Sequence, residues 1–253
     1  MKTITLLFPT LSLLLLSATA HAGGEVDRLL AEYAKIDTVT CQIRRTKDGA
    51  AGKMRFLSRV YWTSKGELHA EGIAPLKRRT IADGKTLWQY VEGDPKGFSR
   101  PINALSEPMT ISLKMVPGTA MDQLLRLAGR EEVAVAGKEG SGKCIGIQAD
   151  GQYITLQFDD LDRLIAIDFF SSADMQEQTA GYRYGDFSEV LPGVWVPTTH
   201  EVELHKDGID FSETVKVDRF IANQPIAQSL FNPTSFFDNT IDFVDDFAKI
   251  FPE

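Results

Sequence analysis

Three short clusters in this chain combine residue types that could do chemistry. "GKEGSGKC" (137–144) comes close to a phosphate-binding loop, with Gly137, Gly142 and Lys143 correctly spaced. Cys144 stands where such a loop needs Ser or Thr for magnesium. The strand-like "IGIQADG" that follows offers no helix N-terminus to the phosphates. The pattern predicts a hairpin turn. "FDDLDR" (158–163) gathers Asp159, Asp160 and Asp162, but lacks the fixed glycine and distal glutamate of a calcium loop. It reads as a solvated turn. His200 and His205 lie five apart on one strand, which points them to opposite faces, so they make no metal pair. With His69 they are expected at the surface. No G-x-S-x-G elbow, H-E-x-x-H or Cys/His dyad occurs. The expectation is a non-enzyme without cofactor or metal; an exported enzyme with a dispersed acidic site stays open as an alternative.

The ends and the composition bound the rest. Lys2, the apolar "LLFPTLSLLLLSATA" and the small-x-small "AHA" (20–22) have the form of a cleaved signal peptide over 1–22, so the expected location is the periplasm. Formal charge is −8, and −9 once Lys2 leaves with the leader, which argues against nucleic acid as a partner. Cys41 and Cys144 are an even pair in an oxidising compartment. A disulfide between them would close about 100 residues and add about 4–5 kcal/mol in the chain-entropy view. Two separate buried thiols are the alternative.

The elements alternate as a β-rich chain. "EVDRLLAEYAKI" (25–36) spaces Val26, Leu29, Leu30, Tyr33 and Ile36 as a helix face. Strand-like runs follow over 38–46, 52–64, 66–73, 77–83 and 85–92. An insertion near 105–129 carries a helix at 119–128, and further strands run from 131 to 220. This layout predicts one domain over 23–233, mainly β with helices, an incomplete antiparallel barrel with helices against one mouth. Residues 234–253 form a separate aromatic and acidic segment. Phe236, Thr240, Phe243, Val244, Phe247 and Phe251 recur at helical spacing, which predicts a docked helix.

The stretch "IADGKTLWQY" (81–90) resembles the DGKxLWxY hairpin of the LolA-like periplasmic lipoprotein carriers. "GVWVPT" (193–198) is similar to a strand of the wider lipoprotein-sorting group, and Asn223, Pro225, Ile226 and Phe231 match its closing element. The order of elements agrees over most of 25–233. The resemblance implies a carrier of acylated lipoproteins or lipid, a monomer. An inner-membrane lipoprotein-releasing transporter and an outer-membrane acceptor would be its partners, and an envelope sensor on the same fold is the runner-up. It also implies an apolar cavity. Strand alternation nominates Met54, Phe56, Val60 and Trp62 for its lining, then Trp88 and Tyr90 from the hairpin, and Met109, Ile111, Leu113 and Met115 from the insertion. Where such carriers have an Arg that holds the helical lid, this chain reads Thr63-Ser64-Lys65-Gly66, leaving Lys65 as candidate latch.

Overall fold

The computed structural model describes residues 24–49, 52–137, 142–206 and 209–250. The expected leader at 1–22 lies outside them, as do residues 138–141 of the phosphate-loop-like turn and Phe251. Helix α1 (Glu25–Tyr33) buries Val26, Leu29 and Tyr33 along one face. Its first turn is capped from a distance: the Glu132 carboxylate accepts from the backbone N–H of Glu25 (2.7 Å) and Val26 (2.9 Å), satisfying donors that a helix start leaves without partners.

A first run of strands comprises β1 (Thr38–Asp48), β2 (Met54–Thr63), β3 (Glu67–Ala74), β4 (Arg78–Asp83), β5 (Thr86–Val91) and β6 (Lys96–Pro101). Helices α2 (Glu107–Lys114) and α3 (Met121–Leu127) interrupt it. A second run follows, with β7 (Val133–Ala134), β8 (Lys143–Ala149), β9 (Gln152–Phe158), β10 (Leu164–Phe170), β11 (Gln178–Leu191), β12 (Val194–Lys206) and β13 (Ile209–Ala222), and a short β14 (Asp242–Val244) closes the list. All belong to one open sheet in the order β14-β6-β5-β4-β3-β2-β1-β13-β12-β11-β10-β9-β8-β7. This is the incomplete barrel expected. The hairpin turn between β4 and β5 is held by Asp83, whose Oδ1 accepts from the N–H of Lys85 (2.9 Å) and Thr86 (2.8 Å). Asn223 pins β13 to the α1–β1 junction, accepting from Asp37 N–H (2.7 Å) and donating to the Lys35 carbonyl (2.9 Å).

Side chains alternate across a strand, so register decides what each face carries. Val39, Trp62, Leu68, Ala82 and Leu87 stand in one row across β1–β5, and Tyr61, His69, Ile81 and Trp88 stand in the opposite one. The helices cover the first face. Leu29 of α1 and Leu124 and Leu127 of α3 share a core with Val39, Trp62, Ile147, Leu156, Val196 and Val217. Leu113 of α2 joins Ala82, Leu87 and Phe98 in a second cluster.

The tail covers the other face, and it is not the helix its spacing predicts. Residues 242–244 are extended and pair parallel to β6. Phe236 meets His69 edge-on at 4.5 Å and lies under the Arg79 guanidinium at 4.8 Å. Phe237 contacts Tyr90 and Phe243. A Cβ on Gly97 would fall 2.6 Å from the Phe243 ring, so that ring can lie flat on β6 only over a glycine. The chain then rounds the sheet edge, where Phe247 stacks on Phe98 at 4.0 Å. Helix is refused for a local reason. Asp238 accepts from Thr240 N–H and Asp246 from Ala248 N–H, and each bond closes a tight turn in place of a helical one.

The expected disulfide is also absent. Cys41 in β1 and Cys144 in β8 have β13, β12, β11, β10 and β9 between them in the sheet, and both are buried as thiols. Burial pushes the Cys41 thiol up to about 12. Two thiols per chain should therefore react with Ellman's reagent in guanidinium chloride, and essentially none in the native protein. A denatured chain with no reactive thiol would restore the disulfide.

Candidate ligand-binding cavity

Under the insertion, the helix-covered face leaves a cavity of about 280 Å³. Three aligned rows of side chains form its floor. Arg45, Val215, His200 and Tyr184 stand opposite one another across β1, β13, β12 and β11; Glu213, Val202 and Tyr182 form the next row, and Phe211 with Leu204 the third. Ile43 closes one end, and Met115, Gly118, Thr119 and Asp122 form the roof. The roof can sit this low because of Gly118. Its φ is +79°, and a Cβ there would lie 2.7 Å from a Val217 methyl. Trp62 anchors the roof: its indole N–H donates to the Leu113 carbonyl at 2.8 Å, wholly buried, at the end of α2.

The walls are apolar with a polar strip. Glu213 is shared by Arg45 (3.6 Å) and Lys47 (3.8 Å). The Gln123 amide donates to Asp122 at 3.0 Å and reaches the Tyr182 hydroxyl at 3.5 Å. Burial raises the Tyr182 and Tyr184 phenols above their ordinary value, so both stay protonated near neutrality. Tyr184 meets the His200 ring edge-on at 5.2 Å. His200 is only 9% exposed, and burial lowers its pKa from 6.5 to about 4, with the Gly118 and Pro197 backbone opposing that fall. The imidazole is neutral at pH 7.

A larger cleft of about 600 Å³ lies on the opposite face beside the tail, lined by Arg59, Lys77, Arg78, Arg79, Tyr90 and Phe236 among others. Glu71 bridges Arg79 (2.8 Å) and Arg59 (3.8 Å) there. A wall of ion pairs suits hydrocarbon poorly, because charged groups keep their water. The smaller apolar cavity is the better site for a lipid chain.

Of the nominated lining residues, Met115 lies at this cavity. Val60, Trp62 and Leu113 are sealed in core, Phe56 is half-buried near the Lys47 ammonium (5.9 Å), and Met54 is exposed. Met109 packs on the α2 cluster and Ile111 is half-buried. Trp88 and Tyr90 do share a face, but it is the tail-covered one, because Ile81 opposite Trp88 belongs to the row of His69 and Tyr61. Lys65 is exposed and shares a cleft with Asp37, Glu67, Ile226 and Gln228, with no residue of α2 or α3 among its described lining. Trp62 holds the insertion instead.

The histidines correct the sequence reading as well: His69 and His200 are buried. The floor residues Tyr182, Tyr184, His200, Val202 and Glu213 were missed, although "YRY" (182–184) and "HEVEL" (200–204) do alternate and could have nominated the first four. The acidic turn is tied down, with Arg163 on Asp159 (2.6 Å) and Lys143 on Asp162 (2.8 Å). Among the described residues no cluster of three metal-ligating side chains occurs.

Two outcomes follow from this geometry. Trp62→Phe leaves the Leu113 carbonyl buried without its donor, which should destabilise the fold by about 1–3 kcal/mol. Amide exchange should quicken over 105–129 first; uniform exchange across the chain would deny the anchoring role. The second concerns pH. Unfolded His200 takes up a proton near pH 6.5 and the folded side chain does so near 4, so the unfolded state binds more protons in between. Stability should thus fall as pH drops from 6.5 to 4, by up to about 3 kcal/mol. His200→Phe should remove that part of the slope in urea unfolding, and identical slopes for both proteins would contradict it.

No protein-family profile matches the chain, and no curated protein matches it in sequence. Solved structures do. A LolA superfamily protein of Nitrosomonas europaea is 13% identical, with a TM-score of 0.52 over 82% of this chain and 97% of that one. A domain described as outer-membrane lipoprotein-sorting, from Vibrio parahaemolyticus, is 11% identical (TM-score 0.54; 83% and 96%). A DUF1329 family protein of Desulfovibrio piger is 9% identical (TM-score 0.56; 84% and 96%). At such identities the likeness is one of architecture, and by it the chain has the LolA-like fold.

Proposed function

We propose that this chain is a periplasmic carrier that takes acyl chains, of lipoproteins or of lipid, into the cavity under α2 and α3 and passes them towards the outer membrane. One observation carries the reading: an apolar cavity on the helix-covered face of an open sheet, roofed by a separate insertion. Each buried methylene is worth about 0.8 kcal/mol, so an acylated protein cannot leave a bilayer for water without such a shelter. Contacts with hydrocarbon are non-directional, which lets one wall accept chains of differing shape. In the closed form the cavity is too small for a multi-acyl anchor, so loading requires the roof to lift, and the Trp62–Leu113 bond is what must give.

On this reading the protein is monomeric and not an enzyme, and it turns over no substrate. A releasing transporter would supply the cargo, and an acceptor that binds the lipid more tightly would take it. Native mass spectrometry of the protein purified from its own envelope tests the proposal. Stoichiometric acylated protein or lipid is the expected result. An empty protein that instead captures a single membrane regulator would replace the carrier by a sensor, and turnover of a small substrate would replace it by an enzyme.

A further inference from the structure

Among the buried polar atoms that folding leaves without a hydrogen-bond partner, two line this cavity: Nε2 of His200, and Oε1 of Glu213, which has only the Arg45 guanidinium at ion-pair distance (3.6 Å). The others, on His69 and Arg79, lie on the tail-covered face. The cavity pair lies on neighbouring strands of the same face, since His200 stands opposite Val215 and Glu213 opposite Val202. His200 is more than nine-tenths buried and lines the cavity, as Glu213 does. Buried polar atoms are nearly always satisfied, so a pair of orphans on one cavity asks for a group that completes them. We infer that the cavity is built for a single-chain amphiphile with an uncharged, hydroxyl-bearing head, and that His200 and Glu213 select it. The inference rests on the acyl-binding reading and, of the two cargoes named there, takes a single-chain lipid over a multi-acyl lipoprotein anchor.

Size, wall and polarity agree. At the roughly 30 Å³ that a water occupies in the liquid, 280 Å³ holds about nine groups of that size, the head and most of one ten-carbon chain but not several chains. Ile43, Met115, Leu204, Phe211 and Val215 would flank the hydrocarbon. Glu213 is acceptor-only, and beside the two cations that balance its charge its Oε1 can still accept one neutral donor, whereas neutral imidazole can donate or accept according to its tautomer. A hydroxyl serves both: it donates to Glu213 Oε1 and accepts from His200 Nε2–H. A carboxylate head would bring a second negative charge against Glu213, with Asp122 also on the cavity wall. An ammonium head finds Glu213 already shared by Arg45 and Lys47.

Calorimetric titration of the delipidated full chain with decan-1-ol, decanoate and decylammonium tests this. Decanol should bind about tenfold or more tightly than decanoate. His200→Phe keeps the ring and removes the polar atoms; it should weaken decanol about tenfold and leave decanoate unchanged, while His200→Gln should recover part of the loss. Equal binding of decanol and decanoate, or a His200→Phe protein that binds decanol as wild type does, would overturn the selection and leave acyl binding standing, with water alone serving the two atoms. Tightest binding of decylammonium would overturn the neutral head. If no chain binds, the acyl reading itself fails.

Discussion

A single open sheet has two faces, and over β3–β6 of this chain neither can be left to water, whereas further along Arg44, Lys216 and Glu201 solvate the second face. That constraint organises everything else. An antiparallel sheet ordinarily keeps one face apolar and one solvated, but here Val39 and Trp62 are sealed on one side and His69 and Ile81 on the other. Among the described residues three short α-helices are available for the first face, and they do not cover all of it. What they leave is the cavity over β11–β13. The second face is closed by the tail, whose aromatic rings settle on β3–β6 in extended form. The cavity and the tail are thus two answers to one problem of coverage.

The sequence made most of the first level legible. The strands, α1, α3 and the Asp83-Gly84 turn follow from alternation, helical spacing and turn chemistry, each of which acts over a few residues, while Asn223 stands out only through the family resemblance. Which residues face the cavity did not follow, because parity is only local. Trp62 and Trp88 are both apolar and even-numbered, yet four residues between Ala82 and Leu87 set β5 so that Leu87, not Trp88, continues the row of Trp62. Parity read within a strand survives; parity carried across turns does not. Strand β6 was unread for a different reason, since "KGFSRP" has a glycine and a proline that weaken any strand signal. Its glycine is explained only by Phe243, a residue 146 positions away.

Charged and polar groups show the same division. Lys143, the most suggestive residue of the phosphate-loop-like stretch, ends in an ion pair with Glu25 of α1 at 2.7 Å and another with Asp162. It ties the helix to the sheet and has no spare charge for a phosphate. Asp168 is fully buried, but Arg183 (2.6 Å) and the Gln157 amide (2.8 Å) satisfy it on the tail-side parity of β10. Partners on other strands decided each case, and no local motif carries that information.

That contrast sharpens the meaning of the cavity. The chain completes buried polar groups at Asp168, at Trp62 and at the start of α1, and leaves others without hydrogen-bond partners on the tail-covered face, at both ring nitrogens of His69 and at Nε of Arg79. It leaves His200 and Glu213 short of hydrogen-bond partners on an apolar cavity that the helices do not fill. Apolar substitutes at those two positions would give a drier cavity and, at His200, a fold free of acid sensitivity there. A wall meant for hydrocarbon alone has no use for them. Their presence in a floor that also holds Val202, Leu204, Phe211 and Val215 carries a stability cost of about 1–3 kcal/mol for a buried polar atom left without a hydrogen bond, as Nε2 of His200 is. Such a cost is offset only when something enters the cavity and bonds to them, so the polar strip is the part of the site from which ligand selection must come.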